Sequence, residues 1–181
     1  MTKKDAAPEF SRIVPVDAFQ ATPFEASFEA TAEERAALAE RLNLARLNHF
    51  DGSFRLGKEG EGAVLSGSWR AEVVQSCVAT LEDVPDALAD AFEIRFAPLD
   101  EIRKMDDAEE VELDADYDPP DPMPEDAIDA GAYLSEQLAL SINPYPRKAD
   151  APLVERLDDN APNASPFAQL ARLKKDDSAN S

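Results

Sequence analysis

The chain contains one cysteine, one histidine, one tryptophan and six glycines in 181 residues, and its 18 lysines and arginines face 38 aspartates and glutamates. Each scarcity removes a class of function. A single cysteine forbids an intramolecular disulfide or a multi-cysteine metal site within one chain, and the lone His49 forbids a histidine cluster. Three of the six glycines fall in GKEGEG, residues 57–62. They fit neither the dinucleotide fingerprint nor the P-loop, which need a following helix and, for the P-loop, GK[ST]. No stretch approaches the roughly 18 consecutive apolar residues that a membrane helix needs. In the opening MTKKDAAPEF, Asp5, Pro8 and Glu9 stand where a secretory signal requires an apolar core, so the expected location is the cytoplasm. The shortage of basic residues leaves a net charge of −20. Such a surface repels phosphate backbones and favours basic partners, including RNA-binding proteins with positive arms.

What is present suffices for a core. Hydrophobic residues make up 44% of the chain, and 181 residues suit one domain with a tail. The strongest pattern lies in AVLSGSWRAEVVQSCVATLEDV, from Ala63 to Val84. Ala63, Leu65, Gly67, Trp69, Ala71, Val73, Gln75 and Cys77 alternate with a mostly polar set, which predicts a half-buried strand of an antiparallel sheet ending in a turn at TLEDVP. Upstream, Phe10–Phe19 has strand composition, with Pro15 suited to an edge. Thr31 and Glu34 form a capping box before AEERAALAERLNL, predicting a helix over 32–43 with Leu38 and Leu42 inward. Leu44–Leu56 reads as a strand burying Phe50, Phe54 and Leu56, with Gly52 at a bulge or a close backbone approach. GKEGEG then reads as a flexible hairpin loop. Asp86–Phe92 is ambiguous between helix and strand, whereas FEIRF is a strand that Pro98 ends.

Between Asp106 and Asp129 lie twelve acidic residues and no basic one, with prolines at 119, 120, 122 and 124. Val111, Leu113, Ala115 and Tyr117 suit a short edge strand, and the proline-rich half must be a loop. A second helix is predicted over 128–142, capped by Asp129, with Leu134, Leu138, Ser141 and Ile142 buried beside Tyr133. NPYPRK stops it. The organisation expected is therefore a disordered N-terminus at 1–9, one α+β domain at 10–148 with an acidic loop at 105–127, and a polar tail at 149–181. The sheet is largely antiparallel and barrel-like or open, with two main helices. Within the tail, SPFAQLARLKK near 165–175 suits a short amphipathic helix, led by Ser165 and Pro166.

Several constellations invite chemistry. Asp114, Asp116, Asp118 and Glu125 occupy positions one, three, five and twelve of a calcium loop, but Pro119 stands at the sixth position, where a glycine is required. A solvated acidic loop is the better reading. Cys77 could act as a nucleophile only with His49 as its base, and no third orienting group is evident, so a small buried core residue is the better reading. Tyr145, Arg147 and Lys148 form a basic-aromatic spot able to stack on RNA. A rigid helix exit explains them more simply.

The segments QSCVATLEDV, IDAGAYLSEQLALSINPYPRK and SPFAQLARLKK, in this order, resemble the YceD family of bacterial large-subunit rRNA accumulation proteins, in its alphaproteobacterial form. The resemblance spans roughly residues 10–175. Many members carry Cys-x-x-Cys before a Leu-Glu turn; here Cys77 matches the first cysteine and Thr80 replaces the second, which argues against a metal or redox pair at this turn. Residues matching the recurrent pattern are Cys77, Leu81, Glu82, Asp129, Glu136, Gln137, Pro144 and Pro146. The resemblance implies a cytoplasmic, non-enzymatic factor for synthesis, processing or stability of 23S rRNA, without catalytic residues, metal or cofactor.

The expected recognition surface is Cys77, Thr80, Leu81, Glu82, Glu136, Gln137, Pro144, Tyr145, Pro146 and Arg147. The expected partner is a basic ribosomal protein or assembly factor, with rRNA engaged indirectly, no membrane contact and the chain acting as a monomer. Competing readings are a Cys–His hydrolase or RNA-processing nuclease, which requires Cys77 and His49 together or acids converging on a metal, and a general acidic adaptor.

Overall fold

A computed structural model describes residues 8–106 and 118–152. The chain divides between Lys148 and Ala149 into two units, and every element named below belongs to the first. In order these are β1 (Ile13–Pro15), a 3-10 turn (Val16–Phe19), β2 (Phe24–Glu29), α1 (Ala32–Arg41), β3 (Arg46–Glu59), β4 (Gly62–Ser76), β5 (Asp83–Ala97), α2 (Leu99–Asp106), β6 (Asp121–Pro122), β7 (Ala127–Asp129) and α3 (Ala130–Ser141). The fold is α+β. Its main sheet has the order β2-β3-β4-β5-β6, antiparallel except for the β5–β6 pair, and it is open rather than a closed barrel. A second small sheet joins β1 to β7.

The alternation in β4 decides the layering. Ala63, Leu65, Trp69, Ala71, Val73, Gln75 and Cys77 are all buried, as the period of two requires. Beside them β3 buries Leu47, Phe50, Phe54 and Leu56. The register shifts between Leu47 and His49, so the bulge falls at Asn48. One extra residue there lets Leu47 and Phe50, three apart, share the inward face. Gly52 serves the close approach instead, since a Cβ there would lie 2.3 Å from the Ser68 carbonyl oxygen and 2.8 Å from the Trp69 Cα. An edge-packed aromatic row crosses the core: Phe10 lies 5.4 Å from Phe28, Phe28 5.2 Å from Phe50, and Phe50 6.0 Å from Trp69, centroid to centroid. Ile128, Leu134 and Leu138 close the core from α3 and the strand before it.

The helices are tied together by the N-terminal segment. Thr31 and Glu34 make both hydrogen bonds of the capping box. The same Glu34 carboxylate receives two hydrogen bonds from the Arg12 guanidinium, at 2.7 and 3.1 Å, and this pairing holds its carboxyl below the usual range against an opposing push from burial. Asp129 caps α3 by accepting from the Gly131 N–H. It also accepts from the Arg12 N–H and the Ser11 hydroxyl, so one carboxylate fixes the start of α3 to the segment before β1.

Four sequence expectations need correction, and one open alternative is resolved. Only Ile13–Pro15 of the Phe10–Phe19 segment is strand; past Pro15 the chain turns, and the Val16 N–H goes to the Asp126 carbonyl. The first helix stops at Arg41 rather than at 43. Asn43 takes a left-handed φ of 54°, and the N–H groups of Asn43 and Leu44 return to the carbonyls of Glu40 and Ala39. GKEGEG is mostly strand, with the turn confined to Gly60 and Glu61, and Gly60 at φ +58° makes it. Asp86–Phe92 is strand throughout. A third helix, α2, follows Pro98, whose carbonyl accepts the N–H groups of Glu101 and Ile102. The edge strand expected at 111–117 and the tail helix expected at 165–175 lie outside the described residues.

The close approach at Gly52 generates a test. Gly52→Ala sets a methyl against backbone that cannot swing away and is expected to lower stability by about 1–3 kcal/mol. Gly57→Ala meets only Pro23 side-chain carbons at 3.7 Å and should change stability little. Urea midpoints of the two variants check the contrast.

Candidate recognition site at the Cys77 turn

β4 and β5 are joined by residues 77–82. The Cys77 N–H donates to the Glu82 carbonyl at 2.8 Å and the Leu81 N–H to the Cys77 carbonyl at 2.9 Å, closing the turn on itself. Leu81 accomplishes the reversal with a φ of 62°, a left-handed conformation that costs a residue with a Cβ roughly 1–2 kcal/mol. Its side chain is 80% exposed, so no burial offsets that strain. Strain of this sort without a packing reward marks candidate functional positions.

The helix exit runs against this turn. The Val78 N–H donates to the Pro146 carbonyl at 2.9 Å, Lys148 Nζ reaches Glu82 Oε2 at 3.1 Å, and Gln75 Nε2 donates to the Asn143 carbonyl at 2.8 Å. Gln75, the one polar residue in the inward row of β4, is thereby satisfied. Pro146 is buried, while Pro144, Tyr145 and Arg147 are exposed. Of the residues singled out from sequence, Cys77, Thr80, Leu81, Glu82, Pro144, Tyr145, Pro146 and Arg147 thus come together on two joined segments. One was missed. Val78 is 54% exposed, and with Leu81 and Tyr145 it gives the joined segments three exposed large apolar side chains. The β4 alternation, carried one residue past Cys77, places it outward.

Glu136 and Gln137 belong elsewhere. They line a cleft of about 380 Å³ with Ile94, Asp118, Asp121 and Tyr133, toward the far end of β5. Burial, the Asp121 carboxylate and its hydrogen bond, and then Glu136 push the Tyr133 hydroxyl up to about 12.

Cys77 is fully buried, as a core residue should be. Its thiol is nonetheless pulled down from 9.0 to about 7, first by the Thr80 side chain, then by the backbone N–H of Lys148, with the N–H groups of Ala79 and Thr80 adding to this and burial opposing it. The Thr80 hydroxyl also lies 3.1 Å from Glu82 Oε2, so it stands between sulfur and carboxylate and can donate to either. Thr80 thus gives the Cys77 sulfur a hydrogen bond.

His49 is not part of this site. It faces Glu72 across the β3–β4 ladder, five residues before Cys77, which is about 17 Å along the strand at ~3.4 Å per residue. Its Nε2 pairs with Asp51 Oδ1 at 2.6 Å. Asp51 also receives Arg70 Nε at 2.8 Å, and this bond is the main cause that holds its carboxyl below the usual range. The pairing required for a Cys–His nucleophile is not made. Among the described residues no group of three or more His, Cys, Asp or Glu could hold a metal ion, and no helix is long and apolar enough to cross a membrane. Asp114 and Asp116 of the calcium-loop pattern lie outside the described residues, and Asp118 lines the Tyr133 cleft.

The family model for the large ribosomal RNA subunit accumulation protein YceD matches residues 65–174, more than half of the chain, and takes in the turn, the acidic segment, α3 and its exit. The chain belongs to the YceD family. The family's description carries a role in accumulation of large-subunit ribosomal RNA. No curated protein and no solved structure matches the chain.

The Cys77 thiol generates a second test. Its folded value lies below the unfolded 9.0, so it adds stability above pH 9 that is lost as the pH falls through about 7. Ultraviolet thiolate absorbance, with Cys77→Ser as blank, should titrate near 7 in the native protein. Thr80→Val should move the midpoint upward, toward 9; an unchanged midpoint contradicts the assignment of Thr80 as the main cause.

Proposed function

We propose that this member of the YceD family is a cytoplasmic, non-enzymatic ribosome-biogenesis factor. It supports synthesis, processing or stability of 23S rRNA by binding a basic ribosomal protein or assembly factor, and it meets rRNA indirectly. The observation that carries this reading is the turn itself. Val78, Leu81 and Tyr145 stand exposed on two mutually hydrogen-bonded segments of a protein whose net charge is −20. Apolar anchors on a rigid base suit a protein interface, and the acidic surroundings suit a basic partner. The strained Leu81 supports the same surface, since a glycine would make the turn more cheaply. Binding rather than catalysis fits the separation of Cys77 from His49.

Affinity capture of the tagged protein from cells at low and high salt tests the reading. A basic large-subunit protein or assembly factor should be retained at low salt and released at high salt, as expected when surface charges outside a Debye length are screened. Purified protein that instead binds bare 23S rRNA fragments tightly, and still does so after loss of Arg147 and Lys148, contradicts it.

A further inference from the structure

The core lies on one face of the main sheet, where Leu38 of α1 and Leu134 and Leu138 of α3 are buried. The same register lays out the opposite face. Ser27, Ser53, Ser68 and Ala91 form one cross-strand row there, Glu29, Asp51, Arg70 and Ala89 the next, and His49, Glu72 and Ala87 a third. The side chains of Ser27, Ser53, Ser68, Ala87, Ala89 and Ala91 are exposed, so among the described residues this face is bare. Three depressions of about 780, 630 and 620 Å³ open on it. The first shares Ser27, Ser53 and Ser68 with the second, and His49, Arg70 and Ala89 with the third, so the three make one trough. Along β4 it runs from Ser66 to Glu72, about 20 Å at ~3.4 Å per residue. Its Glu72 end stands on the strand that leads into the Cys77 turn.

The floor is poor by the ordinary rules of sheets. Aromatic, β-branched or oppositely charged cross-strand pairs stabilise a ladder, and alanine is disfavoured in strands. Ser53, Ser66, Ser68, Ala87, Ala89 and Ala91 forgo those gains across three adjacent strands. What they leave is room for another main chain to come close. The charges on the trough select its kind. Four carboxylates and two guanidiniums line it. Both cations are engaged in place, Arg55 by Glu25 at 3.6 Å and Arg70 by Asp51 at 2.8 Å. Glu29 and Glu72 make no ion pair among the described residues.

We propose that this trough seats an α-helix of the basic partner protein, lying along β3 and β4 with small residues on the floor and lysine or arginine toward Glu29 and Glu72. The proposal rests on the reading that the partner is basic, and it adds a second surface and the shape recognised there. A helix of about 13 residues covers the trough at ~1.5 Å per residue. A sheet covered on one face offers the other to a helix as a third layer. Nucleic acid fits poorly, because the lining carboxylates repel phosphate and no lining aromatic is exposed for a base to stack on. A second copy would bring its own Glu29 and Glu72 to arginines that are already engaged.

The test uses the full chain and a peptide of about sixteen alanines and lysines, spaced so that the lysines flank one alanine face of a helix. Amide NMR signals of Ser53, Ser68 and Ala89 should shift when it is added, and a peptide with glutamate in place of lysine should leave them still. Ser68→Tyr fills the floor with a side chain that strands favour, so it should fold and weaken binding about tenfold or more. Glu29→Lys combined with Glu72→Lys should transfer preference to the glutamate peptide, and this pair decides alone if Ser68→Tyr does not fold. The proposal is overturned if the lysine peptide moves none of these amides, or if a 23S rRNA fragment moves them instead. A dilute protein that sediments as a dimer, and that Ser68→Tyr separates, overturns it too, since a second copy then fills the face. If a basic protein is captured from cells equally by the unaltered chain and by both variants, the partner reading stands and this surface is wrong. If the unaltered chain captures none, the partner reading itself has failed, and this proposal with it.

Discussion

The unbroken β4–β5 ladder is the constraint on which the rest of the molecule depends. Fourteen consecutive pairs without a bulge keep one parity from end to end. That parity buries Leu65, Trp69, Val73 and Cys77 on one face and exposes Arg70 and Glu72 on the other. It also decides which backbone groups of β5 look away from the sheet. A one-residue slip would reverse all of these at once. The turn between the strands must therefore close with no residue to spare, and Leu81 accepts a left-handed backbone to do it. Strain at the turn is a local cost of a long, strictly registered hairpin.

Much of this was legible in the residues themselves, and the failures have identifiable causes. The β4 alternation and the Thr31–Glu34 box are local signals that tertiary contacts reinforce, so both survive in the fold. β5 was harder because its inward side chains, Val84, Leu88, Phe92 and Ile94, are only half-buried while Pro85, Ala87, Ala89 and Ala91 are exposed. Neither the period of two nor that of 3.6 is clean in such a strand. The glycines of 57–62 suggested a loop, yet Gly62 lies where a Cβ would collide with the Phe96 carbonyl, and the tight pairing of β4 with β5 needs its bareness. Pro98 was read as an end and is also a beginning, since its carbonyl starts α2. The donors that surround the Cys77 sulfur could not be read from spacing, because Lys148 lies seventy-one residues away in the chain.

The candidate surface draws on both kinds of information. Resemblance pointed to the turn and to the proline exit as separate segments; the fold joins them through Val78, Pro146, Glu82 and Lys148. It sends Glu136 and Gln137 to a different cleft. What results is a rigid base holding apolar side chains in solvent on a strongly acidic protein. Such a patch is what the proposed binding role asks for, and beneath it the Cys77 thiol is buried and hydrogen-bonded.

The central claim is that the exposed patch acts by contact, and that the reactive-looking groups beneath and beside it do not act by chemistry. The ratio of 23S to 16S rRNA in cells whose own copy is replaced by variants tests it most directly. Leu81→Asp combined with Tyr145→Ser should lower the ratio while leaving the fold intact, and His49→Gln, which removes the one histidine that could serve as a base, should leave it unchanged. A ratio that falls with His49→Gln and survives the paired change contradicts the account.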